Sequence, residues 1–275
     1  MELLHTQVKI GLDTPVRVLH FSDTHLTRAD LRDDDRKVEL ADARYQCFPH
    51  AEEVLQFASA NAKAMELPIV HTGDLCDFVS HANIEFARAF TDEHDVFMVA
   101  GNHEFSLYVG EAWEDEAYRN QSLAAVQSAH KNNIRMDSRV IGGVNFVALD
   151  NGYYLFDADQ LAFLKAEAAR GLPMVLLCHV PLYDPDLYDY ELKRSPGCAY
   201  LCGVPEEKMS HYDKYRFRQQ KADEMTLETL RYIAEEPLVK AVLTGHLHMN
   251  YEASYADRIP QIFTGDCAVR VIEFI

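Results

Sequence analysis

The sequence predicts an α/β fold on three observations. Short β-branched runs recur along the 275 residues, helical patterns separate many of them, and the last apolar segments follow one another without a helix between. Runs at 16–21, 68–71, 96–100, 144–149, 174–178, 241–243 and 261–263 read as buried strands. Helical patterns cover 51–64, 83–90, 116–130, 157–170 and 219–235. The fourth opens with Asp157-x-x-Gln160, a capping pair in which the aspartate accepts amide hydrogens and the glutamine answers back. The closing segments are expected to pair antiparallel.

Composition narrows the function classes. Twenty-six basic against forty-four acidic side chains give a net charge of −18, which repels polyanions and leaves no basic footprint for duplex nucleic acid. No stretch approaches the roughly 18 apolar residues of a membrane-spanning helix. The N-terminus, Met1-Glu2-Leu3-Leu4-His5, lacks the basic, apolar and small-residue pattern of a secretory signal, so a cytoplasmic setting is expected. Six scattered cysteines in so long a chain read as reduced thiols, and the pair Cys198 and Cys202 as incidental rather than as a metal site or a disulfide.

Residues 1–275 read as one domain, with no Gly/Ser linker, low-complexity tract or repeat. Two stretches stand apart. Residues 27–45 are dense in charge, including Asp33-Asp34-Asp35, and read as a solvated loop and helix. Residues 183–215 hold six of the fourteen tyrosines together with Pro185, Pro196 and Pro205, and read as a cap-like insertion before the helix beginning near Gln219.

The chemistry gathers where the apolar runs end. Ser22-Asp23-Thr24-His25 follows the first, His71-Thr72-Gly73-Asp74-Leu75-Cys76-Asp77 the second, and Gly101-Asn102-His103-Glu104 the third. Leu177-Cys178-His179-Val180-Pro181 and Thr244-Gly245-His246-Leu247-His248 close two later runs. C-terminal strand ends are where open α/β sheets hold ligands. Any one of these blocks is commonly a turn with satisfied polar groups; five together are a candidate site. Their aspartate, asparagine and histidine donors suit Mn, Fe, Zn, Co or Ni rather than Ca.

The ordered set Asp23-x-His25, Gly73-Asp74-x-x-Asp77, Gly101-Asn102-His103-Glu104, His179 and Gly245-His246-x-His248 resembles the calcineurin-like metallophosphoesterase superfamily. That resemblance implies a four-layer α-β-β-α sandwich of two mixed β-sheets with helices outside. It implies two divalent or trivalent transition metal ions, Mn, Fe or Zn, sharing a bridging hydroxide that attacks phosphorus. One ion would be held by Asp23, His25, Asp74 and His248, the other by Asp74, Asn102, His179 and His246, with Asp74 bridging. His103 would be the acid for the leaving oxygen, and Asp77 would orient it. Two divalent ions with two aspartates and a hydroxide leave about one positive charge, which reconciles an acidic protein with an anionic substrate.

Asp77 is followed by Phe78-Val79, whereas the superfamily's protein serine/threonine phosphatases continue with Arg-Gly, so the resemblance points to a small phosphomonoester or phosphodiester. A cyclic-nucleotide-type phosphodiesterase is the alternative within enzymes, and a non-catalytic binding scaffold the alternative outside them. Every proposed ligand position carries a competent side chain, which favours the enzyme.

Among the remaining candidates, His20 and His71 read as core histidines and His211 as a surface one. Cys76 and Cys178 read as small buried hydrophobes, and Glu104 as a charge at a helix start. The tyrosines at 183, 188, 190, 200, 212 and 215 either stack on an aromatic substrate or pack the excursion onto the sheet. Arg194, Lys208, Lys214 and Arg216 either grip phosphate oxygens or face solvent.

Overall fold

The computed structural model describes residues 1–111 and 113–275. Two mixed sheets lie face to face. The first has the order β1 (Glu2–Val8), β11 (Ala268–Phe274), β2 (Val16–Phe21), β3 (Ile69–His71), β4 (Val96–Met98). The second has the order β5 (Met136–Ile141), β6 (Val144–Leu149), β7 (Met174–Leu177), β8 (Val239–Thr244), β10 (Ile259–Phe263), β9 (Tyr251–Tyr255). Alternation of side chains along each strand decides the layering. Val18, Phe146, Ala148, Val175, Leu177, Leu243 and Ile272 fill the space between the sheets. Leu19, Phe21, Ile69, Met98 and Val271 face outward instead, onto α2 (Ala51–Met65), α3 (His81–Glu93) and α4 (Glu116–Gln127). On the far side Val147, Leu149, Leu176 and Val242 meet α5 (Ala158–Ala168) and α8 (Glu224–Glu235). The result is the four-layer α-β-β-α sandwich.

Helix boundaries follow their caps. Asp157 accepts from Gln160 N while the Gln160 side chain accepts from Asp157 N, the reciprocal capping box expected for α5. The helix expected over 219–235 is two. α7 (Lys214–Gln220) ends before Lys221, and α8 starts afresh because Asp223 accepts from Thr226 N; apolar periodicity does not register such a break. In residues 27–45 the expected loop and helix are present, with α1 (Asp35–Tyr45) burying Ala41 alone and capped by Asp34.

The closing strands are mixed rather than simply antiparallel. β10 runs antiparallel to β9 but parallel to β8, and β11 runs antiparallel to β2 but parallel to β1. β1 pairs parallel with β11 at an edge of the first sheet, and its polar, half-exposed pattern hid it. β5 and β9 are likewise part-exposed edge strands without a continuous apolar run.

Residues 183–215 form α6 (Pro185–Arg194), an irregular stretch and a short turn of helix at Glu206–Met209. They carry their own small core of Leu187, Tyr188, Cys198, Leu201, Met209 and Tyr212, closed by Leu247 and Phe263. All six cysteines are free thiols. Among the described residues no helix is long and apolar enough to cross a membrane.

Candidate metal centre

Parallel pairing of β2 with β3 and β3 with β4 puts three chain turns at one edge, and parallel pairing of β7 with β8 brings two more. Backbone bonds lash these turns together: Asp23 N to Gly73 O at 3.0 Å, His25 N to Asp74 O at 2.9 Å, and Gly245 N to His179 O at 3.1 Å. Two glycines make the approach possible. A Cβ on Gly73 would stand 2.5 Å from Gly101 N, and one on Gly245 would stand 1.9 Å from Ser22 Oγ and 2.3 Å from Asp23 Oδ2.

Three overlapping donor groups result among the described residues, of which His25, Asp74 and His103 form the one that links the other two. Asp23, His25 and His248 form one of those two, and Asp74, His179 and His246 the other, each with its ligand atoms within 4.8 Å of one another. Asp74 Oδ2 lies between them, 3.6 Å from His25 Nε2 and 3.1 Å from His179 Nε2. Asn102 lines the same pocket with His103. Thus Asp23, His25, Asp74, Asn102, His179, His246 and His248 meet, with Asp77 behind them: its Oδ1 is 2.9 Å from His25 Nδ1 and 3.1 Å from His103 Nδ1.

The residues fit cations rather than hydrogen bonds among themselves. His25 Nδ1 donates to Asp77, which leaves Nε2 a bare lone pair, yet Nε2 stands 3.1 Å from His248 Nε2. His179 Nδ1 donates to Thr72 O at 2.7 Å, and its Nε2 then faces Asp74 Oδ2 and, at 3.2 Å, His246 Nδ1. Facing nitrogens of this kind repel unless one of each pair carries a proton, and the neighbouring carboxylates do raise His179 to about 9; a cation among them removes the need for that proton. Asn102 Oδ1 is buried and has no hydrogen-bond partner among the described residues.

Electrostatics say the same. Burial pushes the Asp23 carboxyl up to about 7, with Asp74 adding to the rise, while the Asp74 carboxylate is held well below its usual range by His179 and His103 against the cost of burial. Burial lowers His248 to about 3 and holds His246 well below its usual range. Burial alone would lower His103 too, but the Asp74 and Asp77 carboxylates outweigh it and raise the imidazole to about 10.

Several neighbours were not read correctly, or at all, from sequence. Glu104 lies in the first turn of the short helix His103–Phe105, as expected, but it is buried and its carboxylate serves other turns: Oε2 accepts from Asp74 N (2.7 Å) and Gly101 N (2.6 Å), and Oε1 from Leu75 N (2.7 Å) and Cys76 N (3.3 Å). A glutamate directly after the Gly-Asn-His block was the available signal, outweighed by the commoner reading of an acidic residue at a helix start. Arg44, from the stretch read as solvated, reaches Asp77 with Nε at 2.6 Å and Nη2 at 2.9 Å. Phe48 stacks on His25 with ring centroids 4.0 Å apart and planes 9° from parallel. Tyr154 Oη lies 2.8 Å from His246 Nε2. Nothing local in the sequence marks these three, because each arrives through the tertiary fold.

Other expectations resolve by burial. His20 and His71 are fully buried, Cys76 and Cys178 are buried, and His211 is exposed. Tyr188 and Tyr212 pack the excursion, Tyr190 stacks on Tyr251, and Tyr200 lines the pocket beside the histidines. Of the four cations considered there, Arg194 lines the pocket; Lys208 lies over Tyr188 and Arg216 over Tyr200, and Lys214 is exposed.

A family model described as calcineurin-like phosphoesterase matches residues 16–250. No curated protein matches the chain. Among solved structures, a dimetal phosphatase from Danio rerio is similar at a TM-score of 0.56 and 14% identity, over 92% of this chain and 89% of that one. A purple acid phosphatase from seeds of yellow lupin (Lupinus luteus) is similar at a TM-score of 0.53 and 14% identity, over 94% of this chain and 45% of that one. The chain thus spans less than half of the lupin protein, and at these identities the likeness is one of fold.

Proposed function

As a member of the calcineurin-like phosphoesterase family this chain is a phosphoric ester hydrolase, and we propose that it cleaves a small phosphomonoester or phosphodiester at a two-metal centre. Asp23, His25, Asp74 and His248 would hold one ion and Asp74, Asn102, His179 and His246 the other, with Asp74 shared. The observation that carries this reading is the convergence of those buried donors, imidazole nitrogens and carboxylates turned toward one another, with Asn102 Oδ1 unpartnered among the described residues. Mn, Fe or Zn held there would supply Lewis-acid polarisation of the phosphoryl group and would lower the pKa of a water nucleophile toward neutral pH.

The chain supplies the rest. His103 is the acid for the leaving oxygen: its backbone N–H donates to Asp74 Oδ1 at 2.8 Å and its Nδ1 faces Asp77 O at 2.9 Å, which fixes the ring and leaves Nε2 for the substrate. Asp77 orients it. The Asn102 amide group stabilises negative charge developing on phosphoryl oxygen. Residues 183–215 act as a cap and 1–275 as one working unit. Support comes from the pocket of about 250 Å³, in which Glu191, Arg194, Ser195 and Tyr200 join Asn102, His103 and His246. Arg194 is the one arginine or lysine among the described lining residues, so it is the side chain suited to a phosphate or other anionic substituent.

Chelation should abolish turnover of nitrophenyl phosphate and bis(nitrophenyl) phosphate, and Mn, Fe or Zn should restore it. The ratio of the two rates separates monoesterase from diesterase. Asp74→Asn should lose metal and activity together; His103→Ala should keep metal and lose at least about 100-fold in kcat on a poor leaving group. Full activity in demonstrably metal-free protein sinks the two-metal reading.

A further inference from the structure

We propose that residues 35–48 form a strap whose working end, Arg44 and Phe48, positions the metal-facing imidazole of His25 and, through Asp77, that of His103. The inference rests on the two-metal reading above. Asp77 is buried, and its Oδ1 meets three donors: His25 Nδ1 at 2.9 Å, His103 Nδ1 at 3.1 Å and Arg44 Nη2 at 2.9 Å. Oδ2 takes Arg44 Nε at 2.6 Å. A bidentate guanidinium fixes the plane of a carboxylate as a lysine cannot, so Arg44 sets the direction in which Oδ1 is offered to both rings. That direction fixes the tautomer of His25, Nδ1–H toward Asp77, and so the lone pair at Nε2.

Phe48 restrains the same ring from its face. Its plane lies parallel to His25 at 4.0 Å, it also reaches His248 at 5.6 Å, and the Arg44 guanidinium lies 5.1 Å from its centroid. One arginine thus grips the carboxylate behind His25 and the ring stacked on it. The strap is otherwise thinly attached: α1 buries Ala41 alone, and it is tied to the body by Asp34 with Tyr108 and Arg36 with Glu111. At the site, by contrast, Arg44 reaches a fully buried carboxylate, that of Asp77. Neither Arg44 nor Phe48 lines the pocket, so both are positioning residues.

Cobalt(II) provides the test, because its visible spectrum reports ligand geometry independently of turnover. Arg44→Met is expected to weaken Co(II) binding in calorimetry by about 10- to 100-fold, to alter the d–d bands, and to lower kcat with KM unchanged. Arg44→Lys, which keeps the charge and loses the fork, should fall between. Wild-type Co(II) affinity, spectrum and kcat in Arg44→Met overturn the proposal. Should that variant not fold, as judged by circular dichroism, Phe48→Leu carries the test, since it leaves every ion pair in place: a changed spectrum with weaker binding supports the strap, and an unchanged one overturns it. A wild-type chain that binds two Co(II) ions but cleaves neither nitrophenyl ester sinks the substrate reading, and the strap is then judged by the binding and spectra alone. One that binds no Co(II) overturns both.

Discussion

Asp23, His25, Asp74, His246 and His248, five of the seven proposed ligands, sit on left-handed backbone with φ of 56°, 49°, 57°, 69° and 48°. Such conformations cost free energy in residues with a Cβ and persist where surrounding structure over-determines them. Here the over-determination is visible. Glu104 accepts four backbone N–H groups from the Asp74 and Gly101 turns, and Asp23 accepts His246 N at 2.9 Å. Burial, with the Asp74 charge adding to it, raises the Glu104 carboxyl to about 7, and the Gly101 and Asp74 amides oppose that rise by favouring the charged form. Glu104→Gln replaces an acceptor by an NH2 group that must point at amide donors, and leaves at least one of them unpaired. It should lower stability by about 1–3 kcal/mol, read as a drop in Tm, and weaken metal binding with it. A Tm within 1 °C of wild type would show that the turns hold without the carboxylate, at a scale where about 1 kcal/mol moves Tm by a few degrees.

Strands and helices divide by how local their causes are. β6 and β7 are buried along their whole length, apolar but for Asn145, and were legible; β1, β5 and β9 lie at sheet edges, mix polar with apolar residues, and were not. The five site blocks were legible for a related reason: each lies just beyond a strand, so its place in the sheet is its place in the site. Arg44 and Tyr154 reach the site across 33 residues to Asp77 and 92 to His246, and no periodicity carries that information. The break between α7 and α8 was hidden because a cap is one hydrogen bond, not a pattern. Where the cap was read, at Asp157, its worth is testable. Asp157 also meets Arg135 Nη2 at 2.8 Å, an exposed pair that adds little. Asp157→Ala should cost about 1 kcal/mol, seen in urea unfolding as a lower midpoint at unchanged slope. Since α5 lies on the second sheet's outer face, kcat and metal content should not move.

At the scale of the molecule, the two sheets are joined by polar as well as apolar contacts, and one of these makes stability depend on pH. His20, on β2 of the first sheet, points into the space between the sheets: Nε2 meets Thr72 Oγ1 at 2.9 Å and Nδ1 meets Thr264 Oγ1 at 2.8 Å, just beyond β10 of the second. It is fully buried, and burial first, then the Arg270 guanidinium, holds its pKa well below 6.5. The neutral ring is therefore the folded form, while the unfolded chain binds a proton near pH 6.5. The unfolded state holds more protons below that pH, so His20's contribution is fully present above about 6.5 and is lost as pH falls toward the folded pKa. Each such proton steepens the fall by up to about 1.4 kcal/mol per pH unit. His20→Gln can reach both hydroxyls without titrating. Urea unfolding of chelated protein from pH 7.5 to 5.5 should then give the variant a shallower acid limb than wild type, whatever its stability at neutral pH. Parallel limbs would mean that His20 is protonated between the sheets, and that Arg270 does not set the local field there.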